Sequence, residues 1–242
     1  MRFNMSIDKD PQQQEEASLQ VLVARSSLRL GLIHKIMPYL LVTDPAAPSD
    51  STIGGRPLAN ASTMWPCCSS WAGAMQFLAQ LPLDSLDEAI GHEDQVLLVF
   101  QCQNDPGMCD EWDPNAGGNY AFLVENLSRI PLQVPIGETL LSAESRLRRV
   151  SYQPIPSQNT DDDHYCGAVD APASQVVGKL GGAPLWIQAD ETPNCRCGLP
   201  MTFVAQLEER GGGGMNFGGG GAGYAFVCPS CRDQAKFLWQ CG

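Results

Sequence analysis

The chain contains the pentapeptide Phe77-Leu78-Ala79-Gln80-Leu81 and, 126 positions later, a second version of it, Phe203-Val204-Ala205-Gln206-Leu207. The same spacing separates Cys102 from Cys228. Three other motifs recur: Gly54-Gly55-x-Pro57 as Gly181-Gly182-x-Pro184, Cys67-Cys68 as Cys195-x-Cys197, and Phe100-x-Cys102 as Phe226-x-Cys228. Self-similarity at a fixed spacing indicates internal repeats. The sequence therefore predicts two related half-domains packed as one pseudo-symmetric unit.

The fold class follows from the short apolar runs in each copy, which are separated by turn residues and are typical of β-strands. In the first copy these runs are 75–81, 96–101 and 120–124. Helices are predicted at 12–25, from its apolar spacing, and at 138–149, where two charged residues are spaced to pair. The predicted fold is α+β, with duplicated β-rich half-domains and an N-terminal helix.

Four segments describe the expected organisation of the chain. Residues 1–50 form a tail, a helix and short strands, and residues 51–130 form the first repeat. Residues 131–176 hold the connecting helix and a mobile acidic loop, and residues 177–242 form the second repeat with two cysteine pairs.

Length and composition predict a globular protein. The chain has 242 residues, of which 43% are hydrophobic, enough for a substantial core. It has no apolar run of the roughly 18 residues that a spanning helix needs. The first residues lack the apolar stretch of a secretory signal, so the expected location is the cytoplasm, where thiols stay reduced.

The distribution of charge points to a basic protein partner. The formal net charge is −12, which argues against direct nucleic-acid binding because phosphate contacts need clustered Lys and Arg. Residues 57–128 contain no Lys or Arg. A solvated acidic face that only aids solubility is the alternative interpretation.

The candidate partner-binding residues lie in two predicted connections, where binding residues often occur. They are the acidic residues Asp84, Asp87, Glu88, Glu93, Asp94, Asp105, Asp110, Glu111 and Asp113, together with Trp112. An aromatic ring among carboxylates is a candidate anchor for a cationic surface.

The candidate metal ligands are Cys195, Cys197, Cys228 and Cys231. Two closely spaced pairs of thiolates can hold one tetrahedral zinc ion, which would be structural because no coordination position stays open. Buried or free thiols are the alternative. The first copy carries Cys67-Cys68 and Cys102, but its remaining cysteine is displaced to position 109, so any metal site there is expected to be degenerate.

Catalytic motifs are missing from the sequence. The three histidines, His34, His92 and His164, lie outside any recognised catalytic pattern. The glycine-rich stretch 211–221 lacks the Gly-Lys-Ser/Thr ending of a phosphate-binding loop. The sequence therefore predicts a protein that is not an enzyme.

The second copy resembles the YwqG-like family of bacterial proteins. The resemblance rests on Lys179-Leu180-Gly181-Gly182-x-Pro184-x-Trp186, Cys195-x-Cys197-Gly198-x-Pro200-Met201-x-Phe203, Asn216-Phe217-Gly218, Gly223-Tyr224-x-Phe226-x-Cys228-Pro229 and Phe237-x-Trp239-Gln240-Cys241. It implies a duplicated β-rich α+β fold without established catalytic residues. It also implies relatives that include immunity proteins encoded beside polymorphic or type VI secreted toxins, and a distant similarity to eukaryotic ribosomal-protein chaperones.

The resulting hypothesis is an immunity protein that binds a cognate type VI nuclease toxin, a DNase. The acidic loops at 84–94 and 105–113 would occlude the toxin's active site, their carboxylates taking the place of substrate phosphates. The alternative is a chaperone that escorts a basic ribosomal or RNA-binding client.

Overall fold

The computed structural model describes residues 39–47, 50–86, 90–104, 107–126, 129–141, 148–155, 172–209 and 214–242. These ranges all fall within one compact unit, residues 36–242. They contain twelve β-strands: β1 Tyr39–Thr43, β2 Thr52–Ile53, β3 Leu58–Ala59, β4 Gln76–Pro82, β5 Gln95–Gln101, β6 Asn119–Glu125, β7 Ile130–Pro131, β8 Arg148–Pro154, β9 Val176–Leu180, β10 Thr202–Glu208, β11 Ala222–Val227 and β12 Ala235–Gln240. The predicted strands at 75–81, 96–101 and 120–124 are confirmed as β4, β5 and β6.

The prediction of an α+β class is wrong. Short 3-10 turns such as Ala173–Gln175 occur, but the described ranges contain no α-helix, and so none that could span a membrane. The expected helix at 138–149 is contradicted at its C-terminal end, because Arg148 and Arg149 begin β8. An i,i+4 charge pair is worth only ~0.2–0.5 kcal/mol, which is less than β8 gains by pairing on both sides. The expected helix at 12–25 lies outside the described residues.

The strand order places the two copies side by side in one sheet. Ten strands follow the order β12-β11-β10-β9-β1-β8-β2-β4-β5-β6, and β3 pairs with β7 separately. The order is symmetric about the β1–β8 pair. Strand β1 precedes the first repeat yet pairs with β9 of the second, and β8 precedes the second repeat yet pairs with β2 of the first. The two copies have therefore exchanged their first strands.

Local details repeat as well. The β4–β5 ladder has a bulge between Phe77 and Ala79, and the β10–β11 ladder has one between Phe203 and Ala205. A β-bulge adds an unpaired residue and bends the strand. Both copies therefore curve at the same point.

A close backbone contact fixes β9 at the centre of the sheet. Gly178 has φ +151°, and a Cβ there would lie 2.0 Å from the carbonyl oxygen of Gln206 on β10. The β1–β9 register shifts beside this glycine, between Leu41 and Val42. Only glycine fits this position, because both the backbone conformation and the available space exclude a side chain.

The main core lies along one face of the sheet and draws on both copies, including Leu78, Leu97, Val204 and Phe237. Full burial of such a side chain is worth about 1.5–3 kcal/mol. The sheet curls until its edge strands β6 and β12 approach each other. The rings of Trp112 and Trp239 meet edge to face at this junction, with centroids 6.2 Å apart.

Candidate functional site

The four cysteines of the second copy converge because of the antiparallel pairing of β10 and β11. Cys195 and Cys197 precede β10, and Cys228 and Cys231 follow β11. Since Thr202 at the start of β10 pairs with the last residue of β11, both cysteine pairs lie at the same end of the sheet. Their four Sγ atoms all lie within 4.8 Å of one another. We call this group the four-sulfur cluster.

The geometry of the four-sulfur cluster fits a tetrahedral metal ion. The Sγ atoms of Cys197 and Cys228 are 3.7 Å apart. A tetrahedral zinc ion with Zn–S bonds of about 2.3 Å requires sulfurs about 3.8 Å apart. The cysteines in the described part of the chain are all free, so these sulfurs are open to a metal.

Two tight turns hold the sulfurs in place. The backbone amides of Ser230 and Cys231 donate to the Cys228 sulfur at 3.4 and 3.2 Å. In the other turn, the Gly198 amide donates to the Cys195 carbonyl oxygen at 2.9 Å, and Gly198 has φ +88°. Both turns thus resemble the knuckles that clamp structural zinc.

The thiols of the four-sulfur cluster differ in acidity. A hydrogen bond from the Leu199 amide lowers the pKa of Cys197 to about 7. Hydrogen bonding to Cys197 raises the pKa of Cys231 to about 12, and burial raises the pKa of Cys195. The Cys197 thiol therefore ionises more readily than those of Cys195 and Cys231, and a divalent cation would displace the protons of those two thiols.

The four-sulfur cluster packs against the first copy. Nε2 of His92, in the β4–β5 connection, lies 2.8 Å from the carbonyl oxygen of Cys228, and its Nδ1 lies 2.6 Å from Oε1 of Gln95. Arg232, next to Cys231, pairs with Asp94 in the same connection. His92 is 1% exposed, and no sequence motif predicts that it would join the two copies.

The first copy holds a smaller cluster, formed by Cys68, Cys102 and Cys109. Their Sγ atoms lie within 4.8 Å of one another, and all three side chains are buried. Cys67 is exposed, and its sulfur lies 3.9 Å from the carbonyl oxygen of Trp65, outside the cluster. We call the three buried residues the three-sulfur cluster.

Backbone hydrogen bonds show how the two clusters correspond. In the first copy, the Cys68 amide donates to the Gly73 carbonyl oxygen at 2.9 Å, and the Met75 amide donates to that of Pro66 at 2.9 Å. In the second copy, the equivalent bonds run from the Cys195 amide to the Leu199 carbonyl oxygen at 2.8 Å, and from the Met201 amide to that of Pro193 at 2.9 Å. Cys68 thus corresponds to Cys195, and the sequence Ser69-Ser70-Trp71 replaces Cys197. Hydrogen bonds from the Trp71 and Ser70 amides lower the pKa of Cys68, although burial alone would raise it.

The predicted acidic residues have different environments. Asp84, Glu93 and Asp110 are exposed. Asp94 is exposed but forms an ion pair with Arg232. Asp113 is half-buried, and its carboxylate accepts a hydrogen bond from the Asn115 backbone amide. Glu111 is 1% exposed and contributes nothing to the surface. Asp87, Glu88 and Asp105 lie outside the described residues.

The two acidic connections lie at opposite ends of β5. Asp84 and Glu93 belong to the connection before this strand, and Asp110 to the connection after it. Seven strand residues span roughly 23 Å. The two acidic connections therefore do not form one continuous patch.

Trp112 has an intramolecular partner that the sequence did not reveal. It is 41% exposed, its ring packs against Trp239, and its carbonyl oxygen accepts from the Trp239 amide at 3.4 Å. Two further exposed apolar residues flank the three-sulfur cluster: Trp71 is 51% exposed and Met108 is 66% exposed. Sequence reasoning missed both, because their exposure depends on how the turns around Cys68 and Cys109 fold.

Comparison with known proteins gives the chain a family. Residues 51–237 match a family model described as a domain of unknown function, DUF1963. Over 69 residues, 26% of the chain, the sequence is 38% identical to the uncharacterized protein YpfL of Salmonella typhimurium. The chain spans 15% of the length of this relative. Since the family model covers more than half of the sequence, the chain belongs to the DUF1963 family.

Proposed function

We propose that this chain is a cytoplasmic, non-enzymatic binding protein that neutralises a basic protein toxin. The observation that carries the proposal is the surface around the three-sulfur cluster. There the exposed carboxylate of Asp110 lies in a connection that also exposes Met108 and Trp112, and Trp71 is exposed on the neighbouring turn. We call these four residues the acidic-aromatic tip.

The chemistry of the acidic-aromatic tip favours a cationic protein partner. Large aromatic side chains dominate the binding energy of protein interfaces, and complementary charge speeds association and selects the partner. Residues 57–128 contain no Lys or Arg. Lys236 of β12 does reach this connection, where its Nζ donates to Asn115 Oδ1. A nuclease is basic where it binds phosphates, and Asp110 would occupy a phosphate position there.

The finer identity that we propose is an immunity protein for a type VI secreted DNase. Its support is the resemblance of the second copy to the YwqG-like family, together with the acidic surface. In this proposal one end of the sheet, the acidic-aromatic tip, contacts the toxin. The connection that carries Asp84 and Glu93 then lies outside the interface.

We further propose that the four-sulfur cluster holds a structural zinc ion. Four cysteine sulfurs complete a tetrahedral coordination shell and leave no open position for substrate. Zinc would fasten the second-copy turns to each other, and through His92 and Arg232 it would support the junction with the first copy.

The test compares charge-reversed variants for binding and for toxin protection. Tagged wild-type protein and the Asp110→Lys variant capture partners from the native host at moderate salt, and the bound proteins are identified by mass spectrometry. The captured toxin domain is then co-expressed with each variant to measure growth. We expect a basic secreted nuclease domain bound to wild type, and at least tenfold weaker binding to Asp110→Lys.

Two matched controls carry the same change of charge. Glu93→Lys alters the opposite end of β5, and Glu138→Lys alters another exposed site. Both should protect cells as wild type does. Capture of ribosomal proteins would favour the chaperone over the immunity protein. Equal protection by wild type and Asp110→Lys would show that the acidic-aromatic tip is not the toxin-binding surface.

A further inference from the structure

The three-sulfur cluster has the sulfur spacing of a metal site but one thiol too few. Cys68, Cys102 and Cys109 are each at most 3% exposed. The four-sulfur cluster completes its tetrahedron with Cys197, whereas the first copy has Ser69-Ser70-Trp71 there. A four-coordinate metal ion at this cluster would therefore need a fourth donor from another part of the first copy.

Glu111 offers that donor. Its Oε2 accepts a hydrogen bond from the Cys109 thiol at 3.3 Å, and its Oε1 accepts from the backbone amide of Gly107. In a tetrahedral site with Zn–S of about 2.3 Å and Zn–O of about 2.0 Å, a ligand sulfur and oxygen lie about 3.5 Å apart. The observed separation is close to this value.

The chain around Glu111 is packed to hold the carboxylate inside. A Cβ at Gly118 would lie 2.5 Å from the Cys109 carbonyl oxygen and 2.7 Å from the Glu111 Cα. The side-chain Nδ2 of Asn119 donates to the Glu111 carbonyl oxygen at 2.8 Å. Burial of a carboxylate costs free energy unless a proton, a donor or a cation compensates it. A cation bound at the adjacent sulfurs would provide that compensation.

We propose that Cys68, Cys102, Cys109 and Glu111 form a second metal site, with three sulfurs and one oxygen, for a divalent ion of the zinc class. Glu111 is outside the group of atoms that all lie within 4.8 Å of one another, so its carboxylate turns toward the ion on binding. Each of the three thiols releases its proton to solvent and gives a sulfur lone pair to the metal. The proton that Cys109 donates to Glu111 is one of these three.

The two sites differ in their ligands and therefore in their metal retention. A soft thiolate set favours zinc more strongly than a set in which a carboxylate replaces one sulfur. The first-copy site should thus release its ion sooner to a chelator. Its ion would also fix the turn that carries Met108 and Asp110. The metal site does not depend on the proposed toxin, because metal binding is measured without any partner.

The test is a cobalt titration of the full-length, metal-free, reduced protein. Sulfur-to-cobalt charge-transfer absorbance reports the number of thiolate ligands. We expect two equivalents bound by wild type, with an absorbance that corresponds to seven sulfur–cobalt bonds. The double variant Cys195→Ser/Cys228→Ser leaves the four-sulfur cluster only two thiols and should keep one equivalent with three such bonds.

Two conservative variants separate the roles in the first copy. Glu111→Gln should weaken the first-copy site by at least the ~10–100-fold that loss of an outer-shell partner costs, because a direct ligand is removed, and leave the second-copy site unchanged. Cys67→Ser, an exposed thiol outside both clusters, should bind two equivalents as wild type does.

Three results would overturn the proposal. They are a single equivalent bound by wild type with four sulfur–cobalt bonds, no ion bound by a folded Cys195→Ser/Cys228→Ser variant, or an unchanged titration for Glu111→Gln. Because the wild-type titration needs no substitution, it decides the question even if a variant does not fold.

Discussion

The imidazole Nε2 of His92 lies 2.8 Å from the carbonyl oxygen of Cys228, and this contact joins the first copy to a cysteine of the second. Both ring nitrogens of His92 have partners, since Nδ1 lies 2.6 Å from Gln95 Oε1. The two residues are 136 positions apart in the chain. The contact thus stabilises the junction between the copies.

Replacement of His92 should destabilise the whole domain. His92→Ala removes two buried hydrogen bonds and leaves the Cys228 carbonyl oxygen and the Gln95 side chain without these partners. We expect the free energy of unfolding to fall by about 3 kcal/mol. Urea denaturation measures this loss. The adjacent exposed variant Glu93→Ala should change it by less than about 0.5 kcal/mol, and an equally small effect for His92→Ala would contradict the structural role.

A methyl group at position 178 should disturb the centre of the sheet. Gly178→Ala places Cβ 2.0 Å from the Gln206 carbonyl oxygen. The alanine would also have to adopt φ +151°, a backbone angle that residues with a side chain rarely adopt. We expect a loss of about 3 kcal/mol in stability, because backbone atoms on β10 must move. Thermal unfolding measures the loss. Gly219→Ala is the control, since that glycine also has positive φ, at +92°, but its Cβ would meet nothing within 4 Å.

The carboxylate of Glu209 should make stability depend on acid pH. Its Oε2 accepts from four backbone amides, those of Phe217, Gly219, Gly220 and Gly221. Burial alone would raise the pKa of Glu209, but these hydrogen bonds hold the pKa below its ordinary 4.5.

A folded-state pKa below the unfolded value means that Glu209 contributes stability above pH 4.5, and that this stability is lost as pH falls through the folded-state pKa. At pH 7, Glu209→Gln should lose about 1–3 kcal/mol. The difference from wild type should shrink below pH ~4.5. Urea denaturation at several pH values measures it, with exposed Glu138→Gln as the control. A difference that stays constant down to the acid limit would be inconsistent with this role.

Removal of metal should lower thermal stability if the proposed zinc is bound. Chelation should reduce Tm by about 10 °C, the shift that a loss of roughly 3–4 kcal/mol produces in a domain of this size. Cys231→Ser should mimic much of this change, whereas Cys67→Ser should not. Equal Tm values with and without chelator, in protein whose metal content has been measured, would argue against structural metal.

Separation of the two copies should prevent both from folding. A chain divided within 142–147 leaves β1 in the first fragment, but its neighbours β8 and β9 in the second. We expect neither fragment alone to unfold cooperatively, and a mixture to recover the near-ultraviolet circular dichroism of the intact protein. A cooperative transition in the isolated fragment 1–141 would disprove the dependence on strand exchange.

Sequence predicts local features of this protein better than long-range ones. The paired motifs at Gln80 and Gln206 located β4 and β10, and both side chains accept equivalent hydrogen bonds, from the Leu58 and Leu185 amides at 2.8 and 2.9 Å. The spacing of the cysteines also grouped the four sulfurs of the second copy. These features depend on residues that are close in the chain or repeated along it.

The features that sequence did not predict depend on tertiary packing. The first two residues of β8 were predicted as the end of a helix because Glu144 and Arg148 are spaced to pair on a helix surface, which is a local signal. The pairing of β8 with β1 and β2 is not local. Glu111 was predicted to lie on the surface because its sequence neighbours are acidic. Its burial arises from the close packing of Gly118 against it, which composition does not encode.

The exchange of first strands has a consequence for synthesis of the protein on the ribosome. Leu41 of β1 pairs with Tyr152 and Gly178, which emerge 111 and 137 residues later. Translation adds about 5–20 residues per second, so roughly 7–27 s pass between synthesis of the apolar segment Tyr39–Thr43 and synthesis of β9, its second pairing strand. During translation this segment is an unpaired edge available to other nascent chains or to a holding chaperone.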